Sequence, residues 1–473
     1  MELGQIKEYY DFKKYTSLTF DSREVVPGSL FFCKGAAFDV KYLKDAEARG
    51  AKAYVSEVEY PEVSIPCVRV LNIRKAMADI ANEYYSQPWL AYPTVALTGS
   101  KGKSTTLYYI KSICELYVRE CCLGPFACIS TIDTFDGKEF FESHLTTPES
   151  LPLQKHFYNA KQANAFAFAM EVSSQGLKYD RVRGVEFSIG CFLNFGRDHI
   201  GEGEHADEED YFQSKLRLMR QSKTCIINAE TDRYPEVLEA ARLNLNCERI
   251  LTYTPSAAKA HKDGSDVVFT FDGREWRLGM PGLFNAENAI CAILVCRELG
   301  IDDDTIADGL FTARAAGRME TITNKDKGIT CIVDYAHSSL SYRKLFESVR
   351  AEYPGCTLQA LFGCPGGKGL SRRVDLPKEA ATLADYSYIC EEDPGLEDPA
   401  EICKEVYKNL VCFGGKGEIV VDREKAVRKA IESAKPGTVI VFLGKGREGY
   451  MHRGSDYVPI ESEYDMVNRI LFE

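Results

Sequence analysis

The chain has 473 residues, 45% hydrophobic and 27% charged, an ordinary balance for a globular protein with room for about three domains. Its net charge of -12 argues against general nucleic-acid affinity, because displacing counterions needs a basic surface. No run approaches the ~20 apolar residues of a membrane helix, residues 1–8 lack a signal peptide's apolar core, and the 17 cysteines form no Cys-x-x-Cys pair, so the expectation is a cytoplasmic protein with reduced thiols, no zinc site and no membrane insertion.

Residues 1–90 read as a small α/β unit. Alternation over 15–20 predicts a strand, punctuated by Asp21-Ser22-Arg23 and Pro27-Gly28. A second strand follows at 29–33, then a helix at 42–48, a short strand at 53–55 and a helix at 74–85 before Gln87-Pro88-Trp89. Asp21, Ser22 and Arg23 at a strand end suit a polar ligand or simply a capped turn, and the residues alone leave both open.

Residues 91–315 carry the strongest signal. The apolar Val95-Ala96-Leu97 reads as a buried strand, breaks at Gly99-Ser100-Lys101-Gly102-Lys103-Ser104-Thr105, and gives way to an amphipathic helix over 107–116. Strand, glycine turn and helix N-terminus together make an anion site: glycines let backbone N–H groups approach phosphate oxygens, the helix end adds partial positive charge, and Lys103 supplies a full one. Ser104 stands where a P-loop puts its magnesium-binding hydroxyl. The spacing departs from the usual motif of four residues between the glycines. Gly99 and Gly102 enclose only Ser100 and Lys101, and Leu97 occupies the first glycine's place. A lysine-bearing surface turn is the competing reading; the agreement of strand, turn and helix favours a nucleoside-triphosphate site. A strand over 163–172 brings Glu171 to the position where such folds hold magnesium, against the plainer reading of a solvated strand-end acid. Another strand, 188–195, leads into Asn194-Phe195-Gly196-Arg197-Asp198-His199, where His199 is a candidate for a second cation. Residues 209–221 are helical with Tyr211 and Lys215 on one face. A hydrophobic helix ending near Gly300 begins around Asn285, which suits an N-cap.

From 316 the rhythm is regular. Strands at 331–334, 358–362, 386–390 and 439–443 alternate with helices that begin near Tyr342, Lys378 and Pro399 and one over 425–434. That alternation predicts a parallel sheet with ligands at its carboxyl edge. The loops there are 334–337, 363–369, 392–395 and 444–448. The expected class is therefore α/β with three domains: a first unit (1–90), a central P-loop-type ATP-binding domain (91–315) and a C-terminal Rossmann-like domain (316–473).

These loops together resemble the Mur ligases, most closely the MurE type, which adds the third residue to UDP-N-acetylmuramoyl-L-alanyl-D-glutamate in peptidoglycan synthesis. The resemblance covers essentially the whole chain. It rests on Asp21-Ser22-Arg23, residues 98–105, Leu145-Thr146-Thr147-Pro148-Glu149-Ser150, Met170-Glu171-Val172-Ser173-Ser174-Gln175, residues 194–199, Gly317-Arg318-Met319-Glu320, residues 334–337 and residues 444–448. The phosphate loop alone would also fit folylpolyglutamate synthases; the first domain and the Thr-Thr-Pro-Glu stretch favour MurE. The resemblance implies an ADP-forming ligase in which ATP converts the substrate carboxylate into an acyl phosphate that the incoming amine attacks. It implies ATP contacts from Gly99, Ser100, Lys101, Gly102, Lys103, Ser104, Thr105, Asn285, Asn288, Arg318 and Asp334. Magnesium would be held by Ser104, Glu171, His199 and Lys215, the last as a carbamate, because an ammonium cannot ligate a cation. Lys103, Glu171, His199 and Lys215 form the implied catalytic set, and Ser22, Thr146, Thr147, Ser173 and Arg181 the contacts to the UDP-linked substrate. Glu392, Asp393, Gly444 and Glu448 would take the amino acid, and a monomer is expected.

The amino acid itself is read from Glu392-Asp393-Pro394-Gly395. Diaminopimelate-adding members carry Asp-Asn-Pro-Arg there, whose arginine can pair with a distal carboxylate; glycine cannot. Lysine-adding members carry Asp-Asp-Pro-Asn, close to this loop but not identical, and the run 367–373 also resembles theirs. L-Lysine is expected, with ornithine, diaminopimelate or another amino acid open. A P-loop kinase or ATPase and a catalytically silent paralogue are the rival classes, the latter disfavoured because Lys103, Glu171, His199 and Lys215 are all present.

Overall fold

The computed structural model describes residues 11–35, 38–143, 145–196, 200–201, 204–264 and 266–473, with only the backbone of Glu142. Its first sheet is parallel, β1 (Leu18–Thr19), β2 (Leu30–Phe32), β3 (Ala53–Ser56) and β4 (Cys67–Arg69) lying side by side in chain order. The strand expected over 15–20 shrinks to β1. Tight turns at Phe12–Lys14 and Ser22–Glu24 close in on both sides, each capped by an aspartate: Asp11 accepts from Lys13 N and Asp21 from Arg23 N. Helices Val40–Ala48 and Ile73–Tyr84 cover the sheet, with Asn72 capping the second.

The central sheet has eight strands. In chain order they are β5 (Thr94–Thr98), β6 (Phe126–Ile129), β7 (Asp133–Phe135), β8 (Phe140–Glu142), β9 (Ala167–Glu171), β10 (Phe187–Phe192), β11 (Ser222–Asn228) and β12 (Arg249–Tyr253). Side by side they run β12-β11-β10-β5-β9-β6-β7-β8, and only β7 runs against the others, pairing antiparallel with β6 and β8. β5 sits in the middle and is buried along its whole length, which is why Val95-Ala96-Leu97 are apolar without alternation. Helix Lys103–Glu120 lies on one face, where Leu107, Ile110 and Ile113 join Ala289 and Ile293 of helix Asn285–Glu298 in one core. β9 starts four residues later than expected because helix Ser150–Gln162 and a turn with Asn164 at φ +51° take up the intervening chain.

Asn285 is not an N-cap. The helix begins at Asn285 itself, Phe284 takes the capping position without a side-chain bond, and Asn285 N donates to Gly282 O at 2.8 Å. Its amide group works elsewhere, donating to Pro281 O at 2.6 Å and accepting from Asn288 Nδ2 at 3.0 Å. A three-stranded sheet of β13 (His261–Asp263), β14 (Asp266–Phe271) and β15 (Arg274–Leu278) packs into the same core.

The C-terminal sheet comprises β16 (Glu320–Asn324), β17 (Ile329–Asp334), β18 (Thr357–Phe362), β19 (Tyr386–Ile389), β20 (Gly417–Ile419) and β21 (Thr438–Leu443). Its order is β16-β17-β21-β18-β19-β20, with only β16 antiparallel. The helix expected near Lys378 begins earlier, spanning Arg372–Leu383 with Pro377 inside it. Proline lacks the N–H that would reach Arg373 O, and Asn409 Nδ2 donates to that carbonyl instead, at 2.8 Å. A hairpin of β22 (Tyr450–Arg453) and β23 (Asp456–Pro459) precedes the last helix, Glu463–Phe472. All 17 cysteines are free, and among the described residues no helix is long and apolar enough to cross a membrane.

Candidate active site

The turn after β5 is built for close approach. Gly102 caps helix Lys103–Glu120 at φ +83°, and a β-carbon there would stand 2.3 Å from Asn288 Oδ1. Gly99 faces Leu193 and Asn194 so tightly that a β-carbon would meet them at 3.0–3.3 Å. The turn is also laced to the loop after β10: Lys101 N donates to Asn194 Oδ1 at 2.8 Å, Ser100 N donates to Asn194 O at 3.0 Å, and Ser100 Oγ donates to Gly196 O at 2.9 Å. Two lysines meet at its first glycine. Lys103 Nζ donates to Gly99 O at 2.9 Å and the buried Lys215 Nζ donates to the same oxygen at 3.0 Å, with the Tyr211 ring 4.6 Å away.

Glu171, at the end of β9, is buried and accepts from Thr131 N at 2.8 Å and Thr131 Oγ1 at 3.2 Å. Thr131 Oγ1 also lies 3.2 Å from Thr146 Oγ1. Thr147 Oγ1 reaches Glu171 O and Ser173, and Arg181 Nη1 donates to Thr147 O at 3.0 Å. Arg181 also pairs with Glu149, on which Lys34 of the first sheet's loop converges too, each at 2.9 Å. The hydroxyl of Ser104 and the carboxylate of Glu171 line one cleft, and hard oxygen donors of this kind suit magnesium. His199 lies outside the described residues. Among the described residues no group of three or more histidine, cysteine, aspartate or glutamate side chains is arranged to hold a metal.

That cleft, of about 300 Å³, joins two domains. Lys103, Ser104 and Glu171 form one wall, and Arg318, Tyr335, Glu392 and Asp393 the other. Arg318 Nη2 bridges them, donating to Ser104 Oγ at 3.2 Å. Asp334 is not among the lining residues: its oxygens accept Met319 N at 2.8 Å and Ala336 N at 2.7 Å, which braces the turn that carries Arg318. Burial raises the Asp334 carboxyl above its ordinary range, opposed by Arg318 and those two N–H groups. Asn285, Asn288, Lys215 and Thr147 stand behind the cleft surface, and Ser22 is buried in the first domain's Ser22–Glu24 turn.

The far end opens into a larger cavity of about 680 Å³ lined by Asp393, Glu448, Tyr450, His452 and Tyr457. Asp393 Oδ1 accepts from Lys445 Nζ at 3.0 Å and His452 N at 2.9 Å. Burial opposes charge on Asp393, and Lys445 with the His452 N–H more than offsets it, so its carboxyl titrates below the usual range. Glu392 is buried, and its Oε2 makes no hydrogen bond among the described residues. Burial, reinforced by Asp393, pushes this carboxyl up to about 7 against the pull of Arg423. Gly444, at φ +100°, allows Glu392 in: a β-carbon on it would be 2.1 Å from Glu392 Oε2. Gly395, at φ +57°, packs beside His452, whose ring would lie in van der Waals contact, 3.7 Å from an added β-carbon. Thr131, Lys445 and the β22–β23 hairpin carry site geometry that no sequence motif assigned; only Lys445 had a signal, its place between two glycines.

Comparison with known proteins places the chain in a class. The model described as Mur ligase middle domain matches residues 97–296, and that described as Mur ligase, glutamate ligase domain matches 317–446. The chain belongs to the Mur ligase family. It is 36% identical to the UDP-N-acetylmuramyl-tripeptide synthetase of Lactobacillus delbrueckii subsp. bulgaricus, over 93% of this chain and 90% of the relative. It is 35% identical to the UDP-N-acetylmuramoyl-L-alanyl-D-glutamate–L-lysine ligase of Streptococcus suis, over 97% and 93%. A solved UDP-N-acetylmuramoyl-L-alanyl-D-glutamate–2,6-diaminopimelate ligase shares the fold, with TM-score 0.64, 23% identity and coverage of 97% and 95%.

Proposed function

We propose that this chain is an ATP-dependent ligase that joins an amino acid, L-lysine, to the D-glutamate of UDP-N-acetylmuramoyl-L-alanyl-D-glutamate in peptidoglycan synthesis. The carrying observation is the shared cleft: the phosphate-binding turn of the central domain and the strand-end loops of the C-terminal domain line one cavity. The names of the tripeptide synthetase and the lysine ligase at 36% and 35% identity support the substrate and the amino acid.

In this reading the units are 1–90, 91–315 and 316–473, working as a cytoplasmic monomer. The 99–105 turn and Lys103 cradle the β- and γ-phosphates, Asn285 and Asn288 serve the adenine side, and Arg318, held by Asp334, neutralises charge from the opposite wall. Ser104, Glu171, His199 and a carbamylated Lys215 would hold magnesium, which when bound supplies charge neutralisation at the transferring phosphoryl group. Ser22, Thr146, Thr147, Ser173 and Arg181 hold the UDP-linked substrate, so that its carboxylate meets the γ-phosphate in a fixed geometry. Glu392, Asp393, Gly444 and Glu448 receive the amino acid.

The test is phosphate release from ATP with the UDP-muramoyl dipeptide and a panel of L-, D- and meso-amino acids. Release that needs both dipeptide and amino acid, and is fastest with L-lysine, is the expected result. Release indifferent to amino acid would make the chain a kinase or ATPase, and a different best amino acid would overturn only the lysine assignment.

A further inference from the structure

Lys445 is a buried lysine, 1% exposed, in the turn after β21. Its Nζ donates to Asp393 Oδ1 at 3.0 Å and to Glu448 Oε2 at 2.5 Å, and lies 4.9 Å from the centre of the Tyr450 ring. The acids it joins come from different loops, after β19 and after β21. The backbone leading into both is pinned by one residue: Arg423 donates to Glu391 O at 3.0 Å and to Leu443 O at 2.6 Å. Glu448 is further held by Tyr335 Oη at 2.8 Å and Tyr450 Oη at 3.3 Å. A buried ammonium is costly unless fully paired, so this placement needs both acids. The acids at the amino-acid end therefore do not present two free negative charges to the cavity, because the protein itself neutralises one.

We propose, on the ligase reading above, that Lys445 is the positioning residue of the amino-acid half of the cleft. It fixes Asp393 and Glu448 relative to each other and cancels one of their charges, so the trio carries a net single negative charge matched to one ammonium of the incoming amino acid. A carboxylate offers about four acceptor sites, and three donors on Glu448 leave one for that ammonium.

The test is steady-state phosphate release by the full chain, comparing wild type with Lys445→Gln, Lys445→Met and Lys445→Arg. The Gln and Met variants should raise the amino-acid KM about tenfold or more while the ATP KM stays within about twofold, since a broken buried charge pair acts locally. The acidic limb of kcat/KM for the amino acid should move to higher pH, because carboxylates that lose their cation protonate more readily. The groups around Lys445 are Asp393 and Glu392 from the loop after β19, Glu448 and Tyr450 beside it, Tyr335 after β17, and Glu463 of the last helix; the limb follows the carboxyls, because burial pushes both phenols further up from an already alkaline range. Lys445→Arg should restore most of the amino-acid KM. An unchanged KM and pH limb in the Gln variant overturns the proposal, and so does loss of fold in both Gln and Met variants, which would make Lys445 a folding residue. Wild-type release that ignores the amino acid sinks the ligase reading itself and is visible before any variant is made.

Discussion

Two side chains carry the sharpest residue-scale consequences. Lys215 shares Gly99 O with Lys103, so its terminal nitrogen stands at the glycine turn after β5 although its helix starts more than a hundred residues later. If it serves the second cation as a carbamate, Lys215→Ala should lower amino-acid-dependent phosphate release by roughly a thousandfold, the scale of losing one preorganised electrostatic group. Thermal unfolding should be little changed, and added short carboxylates should recover part of the rate; near-normal turnover would remove the carbamate. Glu392 gives stability one pH-dependent contribution. Its carboxyl ordinarily titrates at 4.5 and here, through burial first and Asp393 second, at about 7. Between those values the folded chain holds a proton that the unfolded chain has lost, so this contribution is complete below pH 4.5 and disappears as pH rises through 7. Measured melting temperatures should therefore fall across that window in the wild type relative to Glu392→Gln, whose amide cannot ionise.

At the scale of elements, the turn between β5 and helix Lys103–Glu120 depends on the partner helix beneath it. Gly102 lies at φ +83° with Asn288 Oδ1 where a β-carbon would go, and Asn288 is tied back to Asn285. Gly102→Ala should destabilise the chain by about 1–3 kcal/mol in denaturant titrations and weaken nucleotide binding, because the helix start must shift or Asn288 must move. The strand-turn-helix frame is legible in the sequence because its pieces are local: an apolar run, glycines and an amphipathic start. Helix Arg372–Leu383 is not, since Pro377 reads as a boundary until Asn409, from another helix, is seen to take over the freed carbonyl. Asn285 misleads in the same way, its amide being committed to Pro281 O and Asn288 and not to a cap.

On the scale of the whole molecule, function depends on lobes that meet. Arg318 to Ser104, at the start of helix Lys103–Glu120, and Lys344 to Glu287, on helix Asn285–Glu298, tie the C-terminal domain to the central one. A bound triphosphate would add charge between those walls, so ATP binding should draw the domains together. Small-angle scattering should give a smaller radius of gyration with a non-hydrolysable ATP analogue than without, and Arg318→Ala should reduce the difference; identical profiles with and without nucleotide would contradict closure.

Local grammar sufficed for the α/β class, the glycine turn between β5 and its helix and the alternation of the last third, because period, glycine placement and strand-end acids are encoded within a few residues of one another. It also named Glu171, Thr146, Asp393 and Glu448 as chemically able groups. It could not say that Thr131 joins Glu171 to Thr146, that Asp334 gives one oxygen to the Arg318 turn, or that Lys445 already answers Asp393 and Glu448. All but the Lys445–Glu448 pair join residues 15 to 52 positions apart, and charge neutralisation and burial come into being only when the chain has packed and water has left.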